Sequence, residues 1–203
     1  MEAYPVPKTR VRTEMRVSNS RFITTIDRAP TMQAAQDLLR EMRTEMPDAS
    51  HHVYAFRVGY GASINERLSD DGEPSGTSGP PAMAVVRGQD IGDVALVITR
   101  YFGGTKLGTG GLVSAYTEAA KAGFAALETE LKVDWVTLHG SIPYALLESI
   151  RKQIHEHDGL IEQERFDAAV HLQLRVPQPR VAALLATIRD RSAGQVTLTI
   201  GSP

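Results

Sequence analysis

The sequence predicts an α+β protein built from two domains, residues 1–132 and 133–203. Its 203 residues are enough to form two separate cores. In both parts, segments with the two-residue period of strands alternate with segments that have the 3.6-residue period of helices. In the second part these segments follow the order β-α-β-β-α-β, which is the ferredoxin-like arrangement with helices on one face of the sheet.

The first domain is predicted to begin with two short strands, Arg10–Val17 and Arg21–Arg28, on either side of a Ser-Asn-Ser turn. Thr31 is placed to cap the helix that follows, and Pro47 is expected to end that helix. The apolar residues of this helix recur at helical spacing: Met32, Ala35, Leu38, Leu39, Met42 and Met46.

Two further strands are predicted in the first domain. His51–Val58 carries His52, Tyr54, Phe56 and Val58 on one face, whereas the apolar run Val94–Ile98 indicates a strand covered on both faces. A helix then follows, with one side formed by Leu112, Tyr116, Ala119, Ala120, Gly123 and Leu127. No period holds between Gly59 and Pro81, and an irregular segment of this length tends to be functional or mobile.

In the second domain we expect strands at Val133–Ile142, Leu160–Phe166 and Ala169–Val176, with a helix after Pro143. A second helix follows, and then a last strand with Val196, Leu198 and Ile200 pointing inward. Alternation along the strands predicts an open sheet face composed of Thr137, His139, His171, Gln173, Arg175, Thr197 and Thr199. Trp135 is the aromatic residue aligned with that row, so we do not expect this face to stack RNA bases.

Composition excludes several classes of protein. The chain carries 22 basic and 24 acidic side chains, so it has no overall field that attracts nucleic acid or anionic membranes. The absence of cysteine excludes disulfides, thiolate metal sites and cysteine nucleophiles. No apolar run approaches the roughly 18 residues of a membrane span, and no signal-peptide pattern is present. We therefore expect a cytoplasmic protein without membrane contact.

A polar loop, Ser69–Pro81, is the first segment that suggests a site. Its side chains include carboxylates and hydroxyls at Ser69, Asp70, Asp71, Glu73, Ser75 and Thr77. The adjacent aspartates do not fit a calcium loop, which places carboxylates at alternate positions, although one or two carboxylates could hold magnesium. The same residue types also cap turns and helix starts, and this structural interpretation remains open.

A glycine-rich turn, Arg100–Gly111, is the second such segment. It leaves a buried strand and enters a helix, so the N–H groups of Gly108, Gly110 and Gly111 lie at a positive helix end, near Arg100 and Lys106. Such an end suits an anion, above all phosphate. The segment matches neither the Walker loop nor the dinucleotide fingerprint. The glycines could instead serve only backbone conformation and close packing.

Together the two segments resemble the IMPACT family. The resemblance rests on Ser-Asp-Asp-Gly-Glu-Pro-Ser-Gly-Thr at 69–77 and on Thr-Arg-Tyr-Phe-Gly-Gly-Thr-Lys-Leu-Gly-Thr-Gly-Gly-Leu at 99–112. Supporting pieces are Ser-Arg-Phe-Ile at 20–23, Ala-Ser-His-His at 49–52 and Ala-Tyr at 115–116. The sequence departs from the family pattern at Asn19, Val53 and Ser114, where a basic residue, a cysteine and an arginine are frequent. The resemblance covers residues 18–127 by motif and the second domain by architecture.

The resemblance implies a protein built like a fragment of a translation factor. The first domain is similar to a fold shared by a small-subunit ribosomal protein and the fourth domain of elongation factor G. The second is similar to the fifth, ferredoxin-like domain of that factor. Eukaryotic relatives regulate translation by competing for a protein partner of a starvation-sensing kinase, although an extra domain absent here contributes to that binding.

The favoured hypothesis is a non-catalytic protein, without cofactor or metal, that binds RNA or the ribosome and bears on translation or stress, with a protein partner as a further option. In this hypothesis Arg21, Arg57, Arg100 and Lys106 meet phosphates, while Tyr101 and Phe102 stack on bases. The alternative is a hydrolase acting on a phosphorylated or peptide substrate. Its acid, base or magnesium ligands would be Asp70, Asp71 and Glu73, with His51 or His52 as a proton shuttle. We also predict that the loop Gly59–Pro81 and the turn Arg100–Gly111 lie side by side and form one cleft, because both concentrate polar residues and glycines that periodicity does not explain.

Overall fold

The computed structural model describes residues 3–201. The chain forms two compact units, one of which comprises Tyr4–Lys132, while the other comprises the chain from Val133 onward together with Ala3. Both combine helices with largely antiparallel strand pairs, which confirms the predicted α+β class. No helix within residues 3–201 is long and apolar enough to cross a membrane.

The elements of the first unit are seven strands and three helices within the described residues. The strands are β1 (Tyr4–Pro7), β2 (Val11–Val17), β3 (Ser20–Arg28), β4 (His51–Val58), β5 (Asn65–Ser69), β6 (Val94–Tyr101) and β7 (Thr129–Lys132). The helices are α1 (Met32–Glu45), α2 (Gly79–Arg87) and α3 (Gly108–Ala125). The predicted cap of α1 is confirmed, because Thr31 Oγ1 accepts a hydrogen bond from the N–H of Ala34 at 3.1 Å.

The main sheet of the first unit has the strand order β2-β3-β6-β4-β5. Helix α1 covers one face, where it packs on Ile23, Phe56 and Val97. Helices α2 and α3 cover the other face, where Phe22 and Ile98 are buried. The central strand β6 is therefore covered on both faces, as its apolar run predicts.

Strand β5 lies within the segment Gly59–Pro81, for which the sequence predicts no regular structure. It pairs with β4 at the edge of the sheet, with Leu68 opposite Ala55. Its sequence Asn-Glu-Arg-Leu-Ser has no apolar alternation, because an edge strand with mostly exposed side chains needs none.

Strands β1 and β7 form a small ladder that the sequence does not predict. Tyr4 pairs with Lys132 across this ladder, so the two ends of the first unit lie side by side. The carboxylate of Asp93, a residue that is 1% exposed, accepts hydrogen bonds from the Tyr4 hydroxyl at 3.0 Å, from Lys132 Nζ at 2.7 Å and from the Gly59 N–H at 2.8 Å. These contacts, called the Asp93 cluster below, fix both ends of the first unit to the start of β6.

The second unit has the predicted order β-α-β-β-α-β. Its elements are β8 (Trp135–Ile142), a 3₁₀ turn (Tyr144–Leu146), α4 (Leu147–Glu156), β9 (Leu160–Phe166), β10 (Val170–Pro177), α5 (Gln178–Arg191) and β11 (Leu198–Ile200). The strands form an antiparallel sheet with the order β11-β8-β10-β9. Apolar residues from α4 and α5 form one core with the inward side chains of the sheet, such as Leu138 and Leu174.

The opposite face of this sheet is polar, as predicted. Its shallow groove includes His139, His171, Gln173, Thr197 and Thr199. The prediction that Ile200 points into the core is wrong, since this side chain is 67% exposed. Ile200 ends a short edge strand, and the residues that this part of the chain buries are Val196 and Leu198.

Candidate functional site

A cleft forms where the polar loop meets the glycine-rich turn, so the structure confirms that these two segments lie side by side. Its volume is about 430 Å³. The cleft, called the Glu73 cleft below, is lined by the following residues: His51, Gly72, Glu73, Pro74, Arg100, Phe102, Lys106, Leu107, Gly108, Thr109 and Leu112.

The floor of the Glu73 cleft is a buried ion pair. Arg100, at the end of β6, donates from Nη1 to Glu73 Oε1 at 2.6 Å, and the two side chains are 5% and 4% exposed. The hydroxyl of Tyr116, which comes from α3, donates to the same oxygen at 2.8 Å. Burial and the neighbouring Glu73 carboxylate raise the pKa of Tyr116, which keeps the hydroxyl protonated and donating.

Arg100 is also held from the opposite side by Ser20, at the start of β3. Its Nη2 donates to Ser20 Oγ at 3.2 Å, and the N–H of Gly103 donates to the same oxygen at 3.2 Å. A Cβ added to Gly103 would lie 2.1 Å from the backbone carbon of Asn19, so only glycine fits at this close approach. Ser20 and Tyr116 are not among the predicted site residues, although both belong to the sequence motifs that carry the family resemblance.

The two adjacent histidines lie on opposite faces of β4. His51 Nδ1 lies 2.9 Å from the backbone oxygen of Asp71, which can only accept, so Nδ1 carries the proton. His51 Nε2 lies 3.8 Å from Glu73 Oε1, inside the cleft. His52 is buried on the α1 face, with Nδ1 3.1 Å from Thr99 Oγ1, and burial lowers its pKa.

Asp70 in the polar loop has a structural role. It accepts hydrogen bonds from the N–H groups of Gly76, Ser78 and Gly79 at 2.9–3.0 Å and from the Ser78 hydroxyl at 2.7 Å. Burial would raise the pKa of Asp70, but these hydrogen bonds together lower it. The carboxylate thus satisfies donors at the start of α2, which favours the capping interpretation over magnesium binding.

The other polar residues of the loop are also engaged locally or lie outside the cleft. Asp71 accepts from Arg43 Nη2 at 2.6 Å and from the His52 N–H at 2.7 Å. Ser69 Oγ accepts from the Asp71 N–H, Thr77 donates to the Pro74 carbonyl, and Ser75 is exposed. Across residues 3–201 no group of three or more histidine or acidic side chains is arranged to hold a metal ion. Of the loop residues proposed for the site, Glu73 alone lines the cleft.

The start of α3 supplies the positive end of the cleft. Leu107 precedes the helix, and no side chain caps it. Gly108 has φ +71°, so a left-handed residue turns the chain into the helix. A Cβ added to Gly110 would meet nothing within 4 Å, so close packing does not explain this glycine. The first N–H groups of α3 therefore remain available to an anion.

Phe102 and Lys106 complete the cleft. The Phe102 ring is 48% exposed and lies 5.6 Å from the Arg100 guanidinium carbon. Lys106 makes no ion pair with any residue in the described range 3–201. The cleft thus joins an aromatic surface, a lysine without a counter-ion and an uncapped helix end.

Three residues predicted for the site lie elsewhere. Arg57 pairs opposite Val94, whereas His51 pairs opposite Arg100, so Arg57 lies about 20 Å along the strand from the cleft. It lies 3.9 Å from Glu66 and donates to the Gln89 carbonyl. Arg21 and Tyr101 pair with each other on the α1 face, where the guanidinium lies 4.7 Å from the Tyr101 ring centroid. Adjacent strand residues face opposite sides, so Tyr101 cannot share the Arg100 face.

The fold and the site together define a two-unit protein with mixed helices and strands, whose first unit carries a cleft with a lysine beside an uncapped helix start. The Impact N-terminal domain matches residues 18–124, and a domain of unknown function, DUF1949, matches residues 141–195. The chain belongs to the IMPACT family.

Curated relatives match over almost the whole length of this chain. An IMPACT family member of Haemophilus influenzae is 31% identical over 201 residues, which cover 98% of each chain. The IMPACT family member YigZ of Escherichia coli is 34% identical over 199 residues, again 98% of each chain. A solved structure titled "Crystal structure of an hypothetical protein" superposes with a TM-score of 0.70 at 33% identity, covering 100% of this chain and 98% of that one.

Proposed function

We propose that this protein binds RNA through the Glu73 cleft and acts on translation as a non-catalytic, ribosome-associated protein of the cytoplasm. The observation that carries the proposal is that Lys106 and the uncapped start of α3 line the same cleft as the exposed Phe102 ring. Phosphate fits the first two groups, and an unstacked base fits the third.

The charge distribution supports an anionic ligand. Glu73 is balanced by Arg100 at 2.6 Å, and Asp71 is balanced by Arg43 at 2.6 Å. Lys106 and the helix end are therefore the surplus charge of the cleft, and their sign is positive. Because the whole chain carries a formal charge of −2, RNA binding must depend on this local surplus rather than on an overall field.

The family resemblance supports the link to translation. The first unit is proposed to share its fold with a small-subunit ribosomal protein and with the fourth domain of elongation factor G, and the second unit with the fifth domain of that factor. A protein partner, as in the eukaryotic relatives, is compatible with this role. The hydrolase alternative has less support, because Asp70 and Asp71 are saturated by structural contacts and Glu73 is paired with Arg100.

Titration of single-stranded RNA at several salt concentrations tests the proposal. Affinity should fall steeply as salt rises, because phosphates release counter-ions when they are bound. Lys106→Ala should make the slope of log affinity against log salt shallower by about one unit. Lys121→Ala is the matched control, since Lys121 lies on α3 but pairs with Glu118 on the exposed side of the helix. An unchanged slope for Lys106→Ala, or no RNA binding at low salt, contradicts the proposal.

A further inference from the structure

The carboxylate of Glu73 has one oxygen without a partner. Oε1 accepts from Arg100 and Tyr116, whereas Oε2 accepts from no donor within residues 3–201. The Glu73 side chain is 4% exposed and lines the cleft. Its unpaired Oε2 atom is not fully sealed from solvent. An unpaired carboxylate oxygen of a mostly buried residue that lines a cleft is an acceptor available to a bound ligand.

His51 supplies a second acceptor on the same wall. Its Nδ1–H is used by the Asp71 carbonyl, so in the neutral ring Nε2 bears a lone pair. Nε2 is too far from Glu73 Oε1, at 3.8 Å, to be occupied by it. The wall therefore offers two neighbouring acceptors, one of them charged, and requires a ligand with two neighbouring donors.

We propose that this wall recognises the Watson–Crick edge of guanine. The inference rests on the RNA binding proposed above and specifies which base enters the cleft. Guanine presents N1–H and the 2-amino group side by side, and both can donate to Glu73 Oε2 and His51 Nε2. Adenine and cytosine place a ring nitrogen acceptor beside their amino group, and uracil places a carbonyl on each side of its single N–H. Each of these bases therefore places one of its own acceptors against Glu73 Oε2 or His51 Nε2, where no hydrogen bond can form.

The rest of the cleft accommodates the remainder of the nucleotide. Phe102 offers its exposed ring for base stacking, and Lys106 with the N–H groups at the start of α3 binds the phosphate. The volume of about 430 Å³ lies in the usual range for a small-ligand site. A single lysine and a single helix end provide one phosphate position, so the cleft holds one nucleotide rather than a long strand.

Fluorescence anisotropy of the full chain with labelled RNA octamers tests this inference. The octamers are all uracil except for one central position, which is guanine, adenine, cytosine, uracil or inosine. Guanine should bind about tenfold more tightly than adenine, cytosine or uracil. Inosine keeps N1–H but lacks the 2-amino group, so its affinity should fall between guanine and uracil.

Variants of the wall should change the ratio of guanine affinity to uracil affinity. His51→Ala removes one acceptor and should bring this ratio close to that of inosine over uracil. Glu73→Gln replaces the charged acceptor and should bring the ratio close to one, provided that circular dichroism shows an intact fold. If Glu73→Gln does not fold, His51→Ala alone decides. His139→Ala, in the second unit, is the control and should leave the ratio unchanged.

The outcomes separate the two proposals. If all five octamers bind with equal affinity, or if His51→Ala keeps the full guanine preference, guanine recognition is wrong while RNA binding stands. If no octamer binds at low salt, the proposed function is wrong and the base preference falls with it.

Discussion

The first unit covers its main sheet with helices on both faces, whereas the second unit covers only one face of its sheet. In the first unit the polar groups of the site collect at the end of β6, where Arg100 and Glu73 are 5% and 4% exposed. In the second unit polar side chains spread across an open face, where His171 and its partner Asp167 are 39% and 49% exposed.

This difference indicates which unit can form strong electrostatic interactions with a bound ligand. A charge held away from water interacts strongly with a bound group, while an exposed charge is screened by solvent and salt. The groove on the open face of the second unit has a volume of about 590 Å³, larger than the roughly 430 Å³ of the Glu73 cleft, but its polar side chains are accessible to solvent. We therefore expect specific binding at the covered sheet and a weakly interacting surface at the open one.

Removing the buried arginine should produce the largest effect. Arg100→Ala leaves Glu73 charged and unpaired, which should lower the unfolding free energy of the first unit by about 3–5 kcal/mol. Urea unfolding followed by far-UV circular dichroism measures this change. Trp135, the single tryptophan, lies in the second unit, so its fluorescence serves as an internal reference that should not shift.

An exposed ion pair of the second unit gives the matched comparison. Arg180 lies 3.4 Å from Asp158, with the side chains 59% and 66% exposed. Arg180→Ala should change the unfolding free energy by less than about 1 kcal/mol. Equal losses for Arg100→Ala and Arg180→Ala would contradict the contrast between the two units.

Binding should follow the same contrast with a smaller effect. Phe102→Ala removes the exposed ring beside Arg100 and should weaken RNA binding by about 1–3 kcal/mol. Gln173→Ala, on the open face, should leave the affinity unchanged. Filter binding at fixed salt measures the RNA affinity of both variants. A larger loss of affinity for Gln173→Ala than for Phe102→Ala would place the RNA interface in the second unit.

The smallest effect concerns the dependence of stability on pH. Burial lowers the folded-state pKa of His52, so below about pH 6.5 the unfolded chain takes up a proton that the folded chain does not. The stability of the first unit should therefore fall as the pH drops from 7.5 to 5.5. Urea midpoints by circular dichroism at both values measure this fall. His52→Gln should reduce the difference between them, and an unchanged difference would assign the pH dependence to other groups.

Sequence patterns predict the core elements well, because burial imposes a period on them. The apolar run of β6 and the alternation of β10 both lie where they were predicted. Strand β5 carries no such period, since its side chains face solvent at an edge. Strands β1 and β7 are stabilised by each other and by Asp93, and these partners lie far apart in the chain.

The candidate site was predicted by segment but not in full by residue. Charge and residue type point to Arg100 and Lys106, and both line the cleft, although Arg100 is buried and paired with Glu73. The same criteria also point to Arg57, which lies at the far end of its strand. Strand alternation alone would have placed Tyr101 on the opposite face of the sheet from Arg100. The contact of Glu73 with Tyr116 spans 43 residues and depends on the packing of α3, which no local pattern reveals.

The ladder between β1 and β7 makes the first unit a chain segment that begins and ends at the same place. Tyr4 and Lys132 lie opposite each other, and the Asp93 cluster holds both of them. A segment of this kind can be spliced into a host loop without stretching either protein, or reopened elsewhere after its ends are joined. The first unit therefore has the closely spaced ends of a domain that can be inserted into another protein as a whole.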